Sequence, residues 1–264
     1  MLSEHSRHQE ITDPPPRQEV ACVVLCCPLA AASGPCSDRL RPSGSGRSRT
    51  MAASSSSNML QFMKLIGQLK RVPRTGWVYR KVQNPESVSD HMYRMAMMSL
   101  TISDPTLDKH RCMKLALVHD MAECIVGDIA PADNVSKAEK HRREEEAMQR
   151  LSGLLPDGLK QEIFGLWEEY ETQSSAEARL VKQLDLLEMI LQAHEYEELE
   201  GAPGRLQEFF NSTAGRFQHP DVLQLVGALN EERGRHMTDS QTSGKPQTAA
   251  SASEQQNPKP SPTS

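Results

Sequence analysis

Side-chain chemistry is most concentrated in this sequence at the adjacent pair His119-Asp120. On a helix, neighbouring residues point about 100° apart, so an imidazole and a carboxylate in succession reach one ion only from the edge of a buried face. His119 falls in line with Leu115 and Ala122, an inward stripe, and Asp120 lies just beside it. Glu123 comes four residues after His119 and three after Asp120, over the same edge one turn on. His91 sits in line with Met95 and Met98, and Asp185 lies amid Leu184, Leu186 and Leu187, where an unpaired carboxylate would be costly. A lone histidine on an apolar face is more often a hydrogen-bonded core residue than a ligand. A lone helical aspartate is usually solvated or a cap. Four such residues on three helical segments change that weighing, because one divalent cation would stabilise them all. Imidazoles and carboxylates make a mixed N/O set suited to Mn, Co, Fe, Zn or Mg.

Helices must position these groups, and the sequence supplies them. Aromatic residues are 4% of the 264, and helix formers such as Leu, Ala, Met, Glu, Lys, Gln and Arg recur. This favours an all-α fold over a β-sandwich. Leu60, Met63, Leu65, Ile66 and Leu69 mark a first helix, ended near Pro73. A loop over 71–85 carries Trp77 and Tyr79. Ser87-x-x-Asp90 reads as a capping box opening the helix of His91. A third helix is expected over 108–125, broken in the region of Gly127 and Pro131. Helices over 137–151 and 159–171 follow. Ser174-x-x-Glu177 then caps a long helix to about Leu199, with Leu180, Leu184, Leu187 and Leu191 as its buried stripe. Shorter helices near 205–210 and 220–232 close the unit.

The expected organisation is one folded domain over 58–235, between a disordered extension, 1–57, and a disordered tail, 236–264. Residues 20–32 are apolar apart from Pro28, too short to span a bilayer and without a Lys/Arg-rich start upstream. They read as part of the extension, and Met51-Ala-Ala-Ser-Ser looks like an ordinary start, so the domain is expected not to need residues 1–50. A net charge of −5 leaves no basic field for nucleic acid, and no membrane association is expected. The charged run 137–150 mixes both signs at helical spacing, as a solvated face does. Met92, Met95, Met97 and Met98 read as adaptable core packing. Four of the six cysteines lie in the first 36 residues, and Cys112 and Cys124 fall inside helical apolar patterns. That is no disulfide framework, which points to a reducing compartment; an intracellular, cytoplasmic setting is expected, with a mitochondrial one as the alternative.

His91, His119-Asp120 and Asp185 resemble the H…HD…D signature of the HD phosphohydrolase superfamily. Three stretches, 69–78 (Leu-Lys-Arg-Val-Pro-Arg-Thr-Gly-Trp-Val), 86–91 (Glu-Ser-Val-Ser-Asp-His) and 116–129 (Ala-Leu-Val-His-Asp-Met-Ala-Glu-Cys-Ile-Val-Gly-Asp-Ile), are similar to its 5′-deoxynucleotidase branch, relatives of the bacterial YfbR-type enzymes. The likeness spans about 59–232. It implies a single HD-type helical domain, a divalent cation (Mn2+, Co2+ or Mg2+), a homodimer, and hydrolysis of deoxyribonucleoside 5′-monophosphates to deoxyribonucleoside and inorganic phosphate. By the same resemblance His91, His119, Asp120 and Asp185 hold the main ion. Glu123 and Asp128 are catalytic or help hold a second cation, with the Ile129 carbonyl as a further ligand. Arg74 binds the phosphate, and Trp77 presses on the sugar to disfavour a 2′-hydroxyl. The bacterial relatives have Arg and Trp adjacent, whereas Thr75-Gly76 separates them here.

The chemistry of the residues agrees. A phosphate monoester dianion repels nucleophiles and has a poor alkoxide leaving group, so it needs charge neutralisation and an acid. An arginine can clamp the phosphate bidentately. Glu123 is the candidate acid, one turn from the ligands and not needed to complete their set; Asp128 orients the water or joins a second-ion site. Other HD branches fit less well. Alarmone hydrolases carry HD-x-x-E-D, but Cys124 follows Glu123 here. Triphosphohydrolases and cyclic-nucleotide phosphodiesterases use longer chains with further metal-binding histidines, while His110, His141 and His194 fall on charged or polar stretches. A non-catalytic HD-fold binding protein would be expected to lose a ligand, and none is lost.

Overall fold

Asp90 and Ser87 form the expected box: Ser87 Oγ accepts from the Asp90 amide at 3.2 Å, and the Asp90 carboxylate accepts from the Ser87 amide at 2.9 Å. Two orphan donors of a helix start are satisfied there, and α3 (Val88–Thr101) begins with His91 on its inward face. Before it come α1 (Gly46–Ile66), a 3-10 turn (Gly67–Arg71) and a short α2 (Thr75–Tyr79). After it come α4 (Lys109–Val118), α5 (Glu123–Val126), a 3-10 turn (Pro131–Asp133), α6 (Lys137–Ser152), α7 (Asp157–Thr172), α8 (Ala176–Leu199), α9 (Gln207–Ser212) and α10 (Pro220–Ser243). The computed structural model describes residues 46–243, and among them there is no strand beyond an isolated bridge between Pro73 and Ser87. The all-α expectation holds.

The axis of the fold is α8. Its Leu180, Val181, Leu184, Leu187, Ile190 and Ala193 are buried, and it packs on α3, α4, α7 and α10. The tight α3–α4 pair lies alongside, so His91, the end of α4 and Asp185 all face one region of the core.

Three expectations need correction. The third helix is not continuous: α4 stops at Val118, residues 119–122 form a turn, and α5 restarts at Glu123. The 71–85 loop contains α2, where Trp77 is buried at the centre of a single helical turn. The cap of α8 is Ser175, not Ser174: Ser175 Oγ accepts from the Ala178 amide at 2.9 Å. Ser174 is occupied in ending α7, its amide donating to the Glu169 carbonyl after Gln173 turns left-handed at φ 53°. Helix α1 starts at Gly46 and α10 ends at Ser243. The apolar segment 20–32 and most of the expected tail lie outside the described residues. No described helix is long and apolar enough to cross a membrane.

Candidate metal centre

The break between α4 and α5 shapes the site. Through residues 119–122 the backbone tightens to i→i−3 bonding, with Met121 N to Val118 O at 3.0 Å, Glu123 N to Asp120 O at 3.1 Å and Cys124 N to Met121 O at 3.2 Å. In such a turn side chains three apart eclipse one another, which places Glu123 on the same edge as Asp120. His119 Nδ1 donates to the Ala116 carbonyl at 2.9 Å, which leaves the Nε2 lone pair as the face offered to the site.

Three chain segments converge on that lone pair. His119 Nε2 lies 3.0 Å from Asp120 Oδ2, and His91 Nε2 lies 3.3 Å from Asp185 Oδ1 and 3.9 Å from Asp120 Oδ2. Ligand atoms of His91, His119 and Asp185 all fall within 4.8 Å of one another. Both Nε2 atoms are fully buried and aligned with no hydrogen-bond partner. Each buried unsatisfied polar atom costs about 1–3 kcal/mol. Two orphaned imidazole lone pairs facing two carboxylates are what a divalent cation would satisfy, so the donor set fits a metal.

The surroundings fix these side chains. His91 Nδ1 meets Glu188 Oε2 at 2.5 Å, and Arg94 Nε donates to the other Glu188 oxygen at 2.8 Å. Such a carboxylate behind a ligating histidine sets its tautomer and ring orientation. Burial and Arg74 oppose a charge on His91, but Glu188 and Asp185 outweigh them and raise it to about 9. A proton and a metal therefore compete for His91, and metal binding releases the proton. Asp185 Oδ2 accepts from the Tyr170 hydroxyl and from Lys182 Nζ, each at 2.9 Å. Burial resists its charge, yet Lys182, His91 and His119 hold the Asp185 carboxyl well below the usual range.

Arg74 reaches the centre from the start of α2, its Nη1 3.3 Å from Asp120 Oδ2. Burial disfavours the guanidinium charge, but Asp120, Asp128, Glu123 and Asp185 together secure it. Asp128 gets there by a reversal at Gly127, whose φ of 76° is left-handed territory that suits glycine. Its Oδ2 accepts from the Thr75 amide at 2.7 Å, and Thr75 Oγ1 donates to the Asp128 carbonyl at 2.7 Å. Asp128 thus locks the turn that aims Arg74. Ile129 follows it, half-buried, in the extended stretch before Ala130. Glu123 is 2% exposed, and its Oε2 is buried without a partner. Burial first, then Asp120 and Asp128, push its carboxyl well above the usual range.

Trp77 is not brought into this group. It is 2% exposed, packed edge-on to Tyr196 at 5.4 Å and against Phe209 at 4.4 Å. Its indole Nε1 donates to Glu86 at 2.9 Å. Glu86 in turn lies with His91 and Glu188 in one cluster, and burial together with Glu188 raises its carboxyl to about 7. Trp77 touches the centre through Glu86.

Sequence reasoning missed Glu188, Glu86, Arg94, Tyr170, Lys182 and Lys140. The signal for Glu188 was present, since it lies three residues after Asp185 beside Leu187, in the same apolar stripe. Lys140 belongs to the run read as a solvated face, yet it is half-buried and feels Glu123, Asp120 and Asp128.

Known proteins are similar to this chain. The HD domain family model matches residues 66–223. The chain is 73% identical over 198 residues to 5′-deoxynucleotidase HDDC2 of Danio rerio, covering 72% of this chain and 99% of that one. It is 66% identical over 190 residues to 5′-deoxynucleotidase HDDC2 of Homo sapiens, covering 72% and 93%. Among solved structures, a predicted metal-dependent phosphohydrolase from Magnetospirillum magnetotacticum superposes with a TM-score of 0.55 at 26% identity, over 70% of this chain and 97% of that one. With its orphaned histidine lone pairs, neighbouring aspartates and a family match over residues 66–223, the chain belongs to the HD domain family.

Proposed function

We propose that this chain is a divalent-metal-dependent phosphoric monoester hydrolase, a 5′-deoxynucleotidase that cuts deoxyribonucleoside 5′-monophosphates into deoxyribonucleoside and inorganic phosphate. The observation that carries this reading is the pair of buried, unpartnered Nε2 atoms of His91 and His119 facing Asp120 and Asp185, with Arg74 beside them. The relatives named 5′-deoxynucleotidase support the substrate.

His91, His119, Asp120 and Asp185 are the ligands of the main ion. A bound Mn2+, Co2+ or Mg2+ would lower the pKa of a water from about 16 towards 7 and neutralise phosphoryl oxygens. Arg74, always charged, turns its planar fork from Asp120 to the incoming phosphate. Glu123 holds a proton one turn away and delivers it to the departing 5′-oxygen. Asp128 commits one oxygen to Thr75 and so positions Arg74. Its other oxygen and the Ile129 carbonyl are the groups we assign to a second cation.

Trp77 acts on the sugar by fixing Glu86. Trp77→Phe keeps an aromatic ring but removes the N–H that holds Glu86. The ratio of deoxyribo- to ribonucleotide turnover is expected to fall, by roughly tenfold if a mispositioned polar contact is the cause. An unchanged ratio removes Trp77 from sugar selection.

A homodimer fits the exposed apolar face where Tyr93, Met97 and Leu100 of α3 stand at spacings of four and three. Met63, Tyr93 and Leu117 line a cleft of about 340 Å³ between α1, α3 and α4 on that face. Tyr93→Glu should give a monomer by light scattering; an unchanged mass would move the interface elsewhere. The free thiols Cys112 and Cys124 suit a reducing cytoplasm, and an acidic chain suits small phosphorylated substrates better than nucleic acid or membrane.

The direct test is metal-supplemented phosphate release across ribo- and deoxyribonucleoside 5′-monophosphates, with a simple aryl phosphate as control. Preference for the deoxyribonucleotides is expected. Equal rates on ribonucleotides, or no release from any nucleotide, would overturn the reading.

A further inference from the structure

Away from the catalytic centre, α8 and α10 bring together a second set of metal-type ligands. His194 and Glu198 stand four apart on α8, and Glu232 and His236 stand four apart on α10. That spacing puts each pair on one helix face a turn apart. Nitrogen and oxygen atoms of all four lie within 4.8 Å of one another. His194 Nε2 is 3.5 Å from Glu198 Oε1 and 3.8 Å from Glu232 Oε1, and His236 Nε2 is 3.1 Å from Glu198 Oε1. Around a tetrahedral ion with bonds of about 2.0–2.2 Å, neighbouring ligand atoms sit about 3.3–3.6 Å apart. Small side-chain adjustments reach that geometry.

His194 is the independent sign of a ligand. It is 2% exposed, and neither ring nitrogen has a hydrogen-bond partner. An imidazole buried in this way is costly unless something binds it. Its ring meets that of His236 edge-on, with centroids 5.5 Å apart at 85°. Beside them is a cavity of about 80 Å³ lined by His194, Glu198 and His236. Glu198, Glu232 and His236 are 34%, 53% and 50% exposed, so an ion can approach from solvent. The nearby Arg233 does not compete, because its guanidinium is held by Glu197 at 2.8 and 3.0 Å.

We propose that His194, Glu198, Glu232 and His236 form a structural divalent-cation site of the zinc class that ties α10 to α8. Two neutral imidazoles and two carboxylates balance the charge of a divalent ion. The N2O2 set suits Zn2+ rather than Mg2+ or Ca2+, which take oxygen ligands. The site is separate from the catalytic one: His194 lies nine residues beyond Asp185, about 13 Å along the helix.

The test uses the full chain equilibrated with zinc, desalted and analysed for bound metal. Wild type is expected to hold one equivalent more than His236→Ala, and His236→Ala should keep wild-type turnover with its catalytic ion restored. In Asp120→Ala, where the catalytic centre is disabled, zinc at a hundredfold excess over its dissociation constant should raise Tm by about 5 °C or more. The double variant Asp120→Ala/His236→Ala should show no such shift. Equal zinc content in wild type and His236→Ala would overturn the site. So would an equal zinc-dependent Tm rise in the single and double variants. If Asp120→Ala does not fold by circular dichroism, the comparison of wild type with His236→Ala decides alone.

Discussion

Replacing Asp120 by alanine is expected to remove the catalytic cation and lower phosphate release by at least about 10³–10⁴-fold, the loss of several kcal/mol of charge stabilisation. Its carboxylate stands among three cation-type side chains. Its Oδ2 lies 3.0 Å from His119 Nε2, 3.3 Å from Arg74 Nη1 and 3.9 Å from His91 Nε2. Burial resists its charge, but His119, Arg74 and His91 together hold the Asp120 carboxyl well below the usual carboxylate range. It therefore stays ionised at any pH the enzyme meets, which suits a metal ligand. The fold should survive, because the side chain is 18% exposed and Asp128 and Asp185 remain to balance Arg74. Metal content and phosphate release are measured on the same sample. A variant that keeps its catalytic cation and turns over normally would remove Asp120 from the ligand set.

The cluster was legible in the sequence because its members break apolar stripes. His91 among methionines, His119 below Leu115 and Asp185 between leucines are each out of place on a buried face. Glu188 breaks the same stripe as Asp185, and its role behind His91 was open to the same argument. Other features had no such signal. The tight turn at 119–122 contains neither Gly nor Pro, and His119 keeps right-handed angles of −56° and −41°. Only the hydrogen-bond partners change there, and tertiary packing selects them. The burial of Trp77 over Glu86 depends on Tyr196 and Phe209, more than a hundred residues away in sequence. His194 was read as lying on a polar stretch because Glu195, Glu197 and Glu198 surround it. At helical period Glu195 turns to another face while Glu198 stays beside His194 one turn on, and the chain around His194 closes over its ring.

Glu123→Gln separates proton delivery from metal binding. The variant should keep its metal and lose about 10²–10⁴-fold in kcat on deoxyribonucleotides, the usual worth of general acid–base help. Glutamine fills the same buried space and still forms hydrogen bonds, but it has no proton to give. Burial, then the charges of Asp120 and Asp128, raise the Glu123 carboxyl well above the usual range, and Arg74 and Lys140 offset this only in part. On the proposed role, the acid form is the working form. Activity limited by Glu123 should therefore hold at lower pH and fall as pH rises through its raised pKa; the Gln variant should lose that alkaline limb. Leaving-group chemistry gives a second readout. A 5′-alkoxide needs a proton as it departs, whereas a nitrophenolate does not. The variant should thus lose far less activity on a nitrophenyl phosphate than on a deoxyribonucleotide. Equal losses on both substrates would mean that Glu123 shapes the site without donating the proton, and the pair of Asp120 and Glu123 would then serve the ion alone.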